Sequence, residues 1–387
     1  MGLNFSRRFA KLPPYPFAEI DRKKKKAIAE GKDVISFGVG DPDQPTPKHI
    51  VEAAKAALDN PKFHHYPFDA GLADFRKAVA KWMDSRFHVS LNPDTQIRAC
   101  IGSKDGISHA HLALVNPGDI VLMPNPGYPV YFTSTVFTDG KPYALPLKDK
   151  NGFLPDLDAV PASILKKTKI LFLNSPSNPT AAVADEAFFA KAIRLAKKYK
   201  FVILHDAAYS EIYFGKPPIS FLSVPGAADV GVEYHSFSKT YNMTGWRLGW
   251  FCGNAEIVSA LGKTKENFDS GAFEAVQMAG VAALNGPQTC VSDMRQLYKE
   301  RRDLLCGGLE KLGWKLSVPE ASFYVWVQTP KGYSSVETVE KLIEEASLVT
   351  IPGSALGKHG EGYIRFALTV PKERIAAALE RLAKILW

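Results

Sequence analysis

The most constraining feature of this 387-residue chain is a series of short apolar segments, each followed directly by polar or small residues. Their apolar character is nearly continuous, which is typical of strands buried on both faces of a mostly parallel sheet. Helical or mixed segments separate them, so strands and helices alternate along the chain. The predicted strands span residues 96–101, 120–123, 170–173, 201–205 and 232–235. The chain is therefore predicted to be an α/β protein.

The pattern changes after about residue 290, where a long charged helix precedes predicted strands at 323–327 and 363–367. A final helix carries apolar residues at helical spacing, and this order predicts a smaller α+β domain that packs with the N-terminal arm. The arm is expected to be extended through its prolines before a basic helix begins. The predicted division is residues 1–44 for the arm and part of the small domain, 45–285 for the large domain and 286–387 for the small domain.

The formal net charge of +8 leaves open a nucleic-acid partner, and residues 22–26 form a short basic run. The run lacks interleaved aromatic residues, which favours a solvated helix face over a nucleic-acid site. No apolar run reaches the roughly 18 residues of a membrane span, and we expect a cytoplasmic protein without a membrane partner. The four cysteines lie far apart without metal-ligand spacing, so we expect buried thiols and no metal.

Polar residues follow four of the predicted strands, and the carboxyl ends of parallel strands meet at one edge of a sheet. The four segments are 102–104, 174–179, 205–209 and 236–239. Singly, each residue has an ordinary structural explanation as a turn former or a solvated charge. Together they supply small residues at a helix N-terminus, an acid, an amide, a phenol and an amine, which is the set that pyridoxal phosphate requires. Asp206 can keep a pyridine nitrogen protonated, and Lys239 can form an imine.

The stretch 236–249 closely resembles the cofactor-lysine signature of class I and II aminotransferases, and 174–180 and 206–209 resemble the same superfamily in the same order. The resemblance extends from residue 12 to the last helix. It implies the pyridoxal-phosphate-dependent transferase fold type I, with a mostly parallel central sheet flanked by helices plus a smaller α+β domain. It also implies a homodimer with shared active sites and small amino-acid and 2-oxo-acid substrates.

Carried over by position, the resemblance implies a role for each of the following residues. For the cofactor ring, Lys239 is the catalytic lysine that forms the imine, Asp206 binds the pyridine nitrogen, Asn178 and Tyr209 hold the phenolic oxygen, and Tyr128 stacks on the ring. The cofactor phosphate is bound by Ser103, Lys104, Ser236, Ser238 and Arg247, and Tyr66 reaches the phosphate of the partner subunit. For the substrate, Arg365 binds the α-carboxylate, the Gly40 backbone approaches it, and Tyr128 and Asn178 also make contact.

Four stretches look most like the LL-diaminopimelate aminotransferase subgroup, namely 12–20, 102–107, 116–119 and 352–355. This implies that Tyr15 and Lys104 bind the distal end of the substrate. The implied reaction is ping-pong amino transfer from LL-2,6-diaminopimelate to 2-oxoglutarate, giving tetrahydrodipicolinate and glutamate in lysine biosynthesis.

Three other interpretations remain open from the residues alone. One is an aminotransferase for alanine, aspartate or aromatic amino acids, and residues 64–69 do depart from the usual run in the diaminopimelate subgroup. A second is a carbon–sulfur lyase on the same fold. A third is a ligand-sensing regulator, although about 35 residues before the first catalytic-domain strand are too few for a helix-turn-helix domain.

Overall fold

The computed structural model describes residues 3–12, 16–67 and 70–387. In this part of the chain the strands are β1 (Ile35–Ser36), β2 (Ile97–Cys100), β3 (Ile120–Asn125), β4 (Lys141–Pro146), β5 (Thr168–Asn174), β6 (Val202–Asp206), β7 (Gly231–Ser236), β8 (Gly249–Gly253), β9 (Tyr324–Gln328), β10 (Leu348–Val349), β11 (Ile351–Pro352) and β12 (Tyr363–Ala367).

The helices of the same part are α1 (Arg7–Ala10), α2 (Pro16–Ala29), α3 (Lys48–Leu58), α4 (Ala73–Phe87), α5 (Ser103–Leu114), α6 (Pro129–Phe137), α7 (Ala162–Leu165), α8 (Glu186–Tyr199), α9 (Ala227–Val230), α10 (Phe237–Thr240), α11 (Ala255–Glu266), α12 (Glu274–Asn285), α13 (Thr289–Lys311), α14 (Ser335–Ala346) and α15 (Lys372–Leu382). None of them combines the length and the apolar character that a bilayer span requires.

The large sheet has the strand order β2-β8-β7-β6-β5-β3-β4. All neighbouring pairs are parallel except those of β8, which runs antiparallel to both β2 and β7. The five strands predicted before residue 290 therefore lie in one mostly parallel sheet, and this part of the fold prediction is confirmed. Strands β4 and β8 were not predicted, although each pairs with the strand that precedes it in the chain, β3 and β7 respectively.

Helices cover both faces of this sheet. Apolar residues of α3, α4, α8 and α12 form a core with one face, and those of α5, α6 and α11 form a core with the other. Removal of apolar surface from water on both faces explains why the central strands are almost continuously apolar. The sheet is thus a rigid platform whose carboxyl edge carries the polar residues.

The remaining strands form two small sheets beside a third core. β11, β12 and β9 make an antiparallel sheet, and β1 pairs in parallel with β10. Residues of α13, α14 and α15 complete this core. Chain segments from both ends of the protein are joined here, because Asp33 before β1 receives hydrogen bonds from Arg374 and Arg381 of α15.

The N-terminal arm contains a short helix before the prolines for which an extended conformation was predicted. Residues 7–10 form the short helix α1, and the Ser6 side chain caps it by accepting a hydrogen bond from Phe9 N at 3.3 Å. The first two arm prolines lie outside the described residues. The basic run falls on α2, where Lys23 pairs with Glu340 and Lys25 pairs with Asp21. These lysines therefore face carboxylates of this chain.

Candidate active site

A cavity of about 540 Å³ lies at the carboxyl edge of the large sheet, next to the small sheets. Most of the residues predicted from sequence contribute to it. Its lining comprises Asp21, Val39, Gly40, Ser103, Lys104, Tyr128, Asn174, Asn178, Asp206, Ala208, Tyr209, Ser236, Ser238, Lys239, Thr244, Arg247, Tyr324 and Arg365. Residues that are up to 344 positions apart in the chain therefore share one site.

Asp206 is the last residue of β6 and is 4% exposed. Its Oδ2 accepts a hydrogen bond of 2.8 Å from Tyr131 Oη, and its Oδ1 accepts one of 3.3 Å from Ala208 N. Burial raises the pKa of Asp206, while the Tyr131 hydroxyl opposes this by stabilising the carboxylate. Tyr131 is itself held by stacking on Phe172, with ring centroids 4.7 Å apart. The acid is therefore oriented from behind by a fixed phenol.

Lys239 lies in α10, directly after β7, and is part-buried. Its Nζ donates a hydrogen bond of 2.7 Å to Gly40 O. Burial lowers the pKa of Lys239 to about 8; the negative charge of Asp41 opposes the shift, and the positive charges of Arg247 and Arg365 add to it. A lowered pKa gives the amine a larger neutral fraction near neutral pH, which is what a nucleophilic lysine needs.

The opposite end of the cavity is suited to an anion. Helix α5 begins at Ser103 after Gly102, whose φ of +77° is in the region that favours glycine. A Cβ at Gly102 would lie 2.5 Å from Arg247 Nη2, so the backbone and the guanidinium are in close contact. Ser236 and Ser238 are buried beside them, and the Ser236 hydroxyl accepts a hydrogen bond of 3.2 Å from Ser238 N. Backbone N–H groups, hydroxyls and a guanidinium are the donors that bind phosphate.

Arg365 extends from β12 into the cavity and is 2% exposed. Its Nη1 donates to Asn178 Oδ1 and its Nη2 donates to Gly38 O, both at 2.7 Å. The guanidinium carbon lies 4.2 Å from the centroid of the Tyr324 ring, a cation–π geometry. These contacts hold the guanidinium in one orientation.

Two aromatic residues complete the walls. The Tyr209 hydroxyl lies 3.1 Å from that of Tyr324, and burial raises the pKa of Tyr209 well above its ordinary value, so this phenol stays protonated. Tyr128 precedes α6 and packs edge-on against Tyr131, with ring centroids 5.9 Å apart. Both predicted aromatic residues therefore line the cavity.

Three predicted residues need separate mention. Lys104 is exposed at the rim, where it also lines a neighbouring, largely apolar cavity of about 900 Å³ between α6 and α14. Tyr66 is 74% exposed and is not among the lining residues of the described part of the chain. Tyr15 lies outside the described residues.

The residues fit pyridoxal phosphate by their donor chemistry. The anion-binding end, the buried acid and the amine with a lowered pKa occupy one cavity, and the Gly102 backbone lies close to the Arg247 guanidinium. A group that combines a phosphate, a basic ring nitrogen and an aldehyde matches these three elements.

Among the residues that sequence reasoning did not assign to the site are Tyr131, which contacts Asp206, and Tyr324, which lines the cavity. Tyr131 stands three positions after Tyr128 on α6, and residues at this spacing share a helix face, so that signal was available. Tyr324 begins β9, and its proximity to Arg365 follows only from the pairing of β9 with β12. No local pattern indicates that pairing.

One polar cluster beside the cavity supports α5. Asp105, His109 and Asp269 could together approach a metal ion. In this structure Lys265 Nζ donates to Asp105 at 2.6 Å and to Asp269 at 2.8 Å, so an ammonium lies between the two carboxylates. Asp105 also accepts a 2.8 Å hydrogen bond from Ile101 N, which fixes the turn that leads into α5.

Comparison with known proteins gives a consistent result. Residues 32–382 match the family model for aminotransferase class I and II. LL-diaminopimelate aminotransferase of Aquifex aeolicus is 54% identical over 383 residues, covering 98% of this chain and 99% of that protein, and the enzyme of Syntrophobacter fumaroxidans is 52% identical, with 98% of both chains covered.

Solved structures agree with this over the whole length. Substrate-bound BacF from Bacillus subtilis is similar with a TM-score of 0.95 at 37% identity, covering 99% of this chain and 98% of that chain. A double mutant of Thermus thermophilus aspartate aminotransferase is similar with a TM-score of 0.94 at 29% identity, covering 100% of both chains.

Proposed function

Since the chain belongs to the class I and II aminotransferase family, a family of pyridoxal-phosphate-dependent transaminases, we propose that its amino donor is LL-diaminopimelate. The acceptor is 2-oxoglutarate and the products are tetrahydrodipicolinate and glutamate. The observation that carries the chemistry is one cavity that holds Lys239, Asp206 and Arg365. The donor is supported by relatives named LL-diaminopimelate aminotransferase at about 50% identity over 98% of the chain.

The proposed roles follow from what each side chain can do. When bound, pyridoxal phosphate supplies an electron-accepting ring and a carbonyl for the amine. With a pKa of about 8, Lys239 is about one-tenth neutral at pH 7, so its Nζ can attack a carbonyl and can take up and return a proton. Asp206 accepts a hydrogen bond from a protonated ring nitrogen, and Arg365 binds the substrate's α-carboxylate with two N–H groups.

Tyr128, Asn178 and Tyr209 are proposed to hold the cofactor ring. With Asn178 Oδ1 bonded to Arg365, the amide orients its Nδ2 as the donor group. The protonated Tyr209 phenol is a second donor. Two donors suit the phenolic oxygen of the ring, which is an acceptor when ionised.

Lys104 is proposed to recognise the distal carboxylate of the donor. It lies at the rim between the two cavities, so a long dicarboxylic substrate can reach it while Arg365 holds the α-carboxylate. Lys104→Met keeps the apolar stem and removes the charge. We expect it to raise KM for diaminopimelate about tenfold and to leave KM for alanine unchanged, because only the first has a distal charge.

The function is tested by supplying diaminopimelate, alanine, aspartate, aromatic amino acids or cysteine as donor, with and without 2-oxoglutarate. Glutamate formed fastest from diaminopimelate supports the proposal, whereas faster turnover of another donor refutes that substrate. Pyruvate and ammonia formed without a keto acid would indicate a lyase. Lys239→Ala is the control, and we expect it to abolish turnover while the far-UV spectrum stays unchanged.

We also propose a homodimer in which Tyr66 serves the partner's phosphate site. This is supported by its position outside the lining of its own cavity. In a mixed dimer of Lys239→Ala and Tyr66→Ala chains, one site keeps both residues if the sites are shared. We therefore expect co-expression of the two weak variants to restore activity. Activity no higher than that of the separate variants would contradict shared sites.

The division at residues 1–44, 45–285 and 286–387 stays a proposal. It is supported by the separate core of the small sheets, although Val291 in the first turn of α13 belongs to the core of the large sheet. A cytoplasmic location is likewise proposed. The four free cysteines, three of them buried, are consistent with a reducing compartment.

A further inference from the structure

Residues 38–43 form a segment, here called the strap, on which both functional cations rest. Arg365 Nη2 donates to Gly38 O and Lys239 Nζ donates to Gly40 O, each at 2.7 Å. Between them, Val39 O accepts a 3.0 Å hydrogen bond from Thr369 Oγ1. The position of this backbone therefore sets where the carboxylate-binding guanidinium and the amine lie relative to each other.

An ion pair between a buried arginine and a part-exposed aspartate anchors the strap outside the cavity. Asp43 accepts from Arg301 through both carboxylate oxygens, Nη1 to Oδ1 and Nη2 to Oδ2, each at 2.7 Å. Arg301 belongs to α13, is 4% exposed and also donates to Leu368 O at 3.1 Å. Burial alone would raise the pKa of Asp43, but the hydrogen bonds from Arg301 lower it, so the carboxylate is charged.

The strap is closely packed at Gly40, although Val39 beside it is 59% exposed. A Cβ on Gly40 would lie 2.8 Å from the Phe323 ring and 2.7 Å from the Tyr324 ring carbon that bears the hydroxyl. The backbone is thus pressed against β9. Where packing is this close, a shift at Asp43 moves the carbonyls instead of being absorbed by empty space.

We propose that Arg301 is a positioning residue of the active site. Through Asp43, Arg301 fixes the position of the strap. The strap in turn fixes the positions of Lys239 and Arg365 relative to each other. Neither partner of the ion pair lines the cavity, so the effect is indirect. The inference rests on the proposed roles of those two cations.

The test compares Asp43→Asn, Arg301→Lys and the double variant with Asp33→Asn. The control removes a carboxylate that also receives two N–H groups from one arginine, Arg374, but belongs to no part of the strap. We expect KM for the amino donor to rise about tenfold to a hundredfold in the strap variants, with a smaller change in kcat, because small misplacements of binding groups have effects of this size. The double variant should be no worse than the worse single one.

A second measurement uses the apoprotein and needs no cofactor. Acetic anhydride labels free amines, and peptide mass spectrometry gives the labelling rate of Lys239 at pH 7. We expect Lys239 to be labelled several-fold faster in Asp43→Asn than in the wild type, because the Gly40 carbonyl no longer shields its Nζ. If Asp43→Asn does not fold, Arg301→Lys serves for both measurements. This variant keeps the positive charge but loses the two parallel N–H donors of the guanidinium.

KM and labelling rates equal to those of Asp33→Asn would overturn the inference and leave a purely structural ion pair. Failure of the proposed function would be seen in the wild-type protein and not only in the strap variants. There, borohydride reduction of the holoprotein would leave the Lys239 peptide unmodified.

Discussion

Glu233 is buried in the large sheet with no exposed surface, and its replacement by glutamine should be strongly destabilising. Its carboxylate accepts hydrogen bonds from His205 Nδ1 at 2.9 Å, His235 Nε2 at 2.7 Å, Ser220 Oγ at 2.9 Å and Phe221 N at 2.7 Å. Burial alone would raise the pKa of Glu233, but the hydrogen bonds from both histidines hold it far below its ordinary value of 4.5. The site therefore depends on a charged acceptor.

The magnitude follows from counting donors. A glutamine offers only one acceptor oxygen, and its amide group would face at least one N–H that now points at the carboxylate. A hydrogen bond to a charged group contributes about 1.5–3 kcal/mol, and a donor left buried and unsatisfied costs about 1–3 kcal/mol. Together these predict a loss of about 2.5–6 kcal/mol in the free energy of unfolding.

Urea unfolding of the apoprotein at pH 7 measures this loss, at one fixed protein concentration because subunit association would add to the stability. Trp250 is a useful fluorescence probe, since its ring stacks on His235 with centroids 4.7 Å apart. Glu340→Gln is the control, because Glu340 pairs with Lys23 at a site that is 42% exposed and should contribute only about 0–1 kcal/mol. A loss below about 1 kcal/mol for Glu233→Gln would refute the reasoning.

The pH dependence gives a second check on the same prediction. A carboxyl group whose pKa is depressed in the folded state adds stability above its unfolded pKa, and this contribution is lost as pH falls toward the folded pKa. The difference between wild type and Glu233→Gln should therefore be full above pH 4.5 and should shrink below it. A difference that grows on acidification would contradict the assignment of charge to Glu233.

Three further predictions concern the active site. Tyr131→Phe removes the hydroxyl that donates a hydrogen bond to Asp206, which contributes about 1.5–3 kcal/mol. We expect kcat/KM to fall about tenfold to a hundredfold while the protein stays folded. Unchanged kinetics would show that this hydrogen bond does not support the function of Asp206. Arg365→Lys cannot form two parallel hydrogen bonds to a carboxylate, so it should raise KM for amino acids at least about tenfold. Its cofactor affinity, measured by titration, should equal that of the wild type. A KM equal to that of the wild type would argue against carboxylate binding by Arg365. In the apoprotein, the rate of Lys239 acetylation should rise with a midpoint near pH 8, and a midpoint above about 10 would show that burial does not lower its pKa.

Much of the sheet and of the cavity lining could be predicted, because parallel strands place their carboxyl ends together. Asn174 ends β5 and Asp206 ends β6, and the two are Cα partners in the sheet. Apolar runs locate such strands, and the residues that follow them must meet at one edge. The catalytic roles assigned to these residues remain predictions.

The antiparallel strand β8 could not be predicted in the same way. Its five residues are as buried as those of its neighbours, so their composition does not indicate whether the strand runs parallel or antiparallel to them. β8 lies between β2 and β7, and residues 97–100 pair with it from more than 140 positions away. Direction is set by where the chain emerges from α10 and the turn after it, which is a property of the assembled sheet.

The burial of Arg301 can be predicted from the sequence, but its ion-pair partner cannot. It belongs to a run of five charged residues, 299–303, which by composition alone indicates a solvated surface. Yet it stands three positions after buried Tyr298 and four before buried Leu305, so the helical repeat places it on the apolar face of α13. A charged side chain on that face must find a buried partner. The periodicity thus predicts burial of Arg301, whereas its partner Asp43, 258 positions away, follows only from the packing of α13 against the strap.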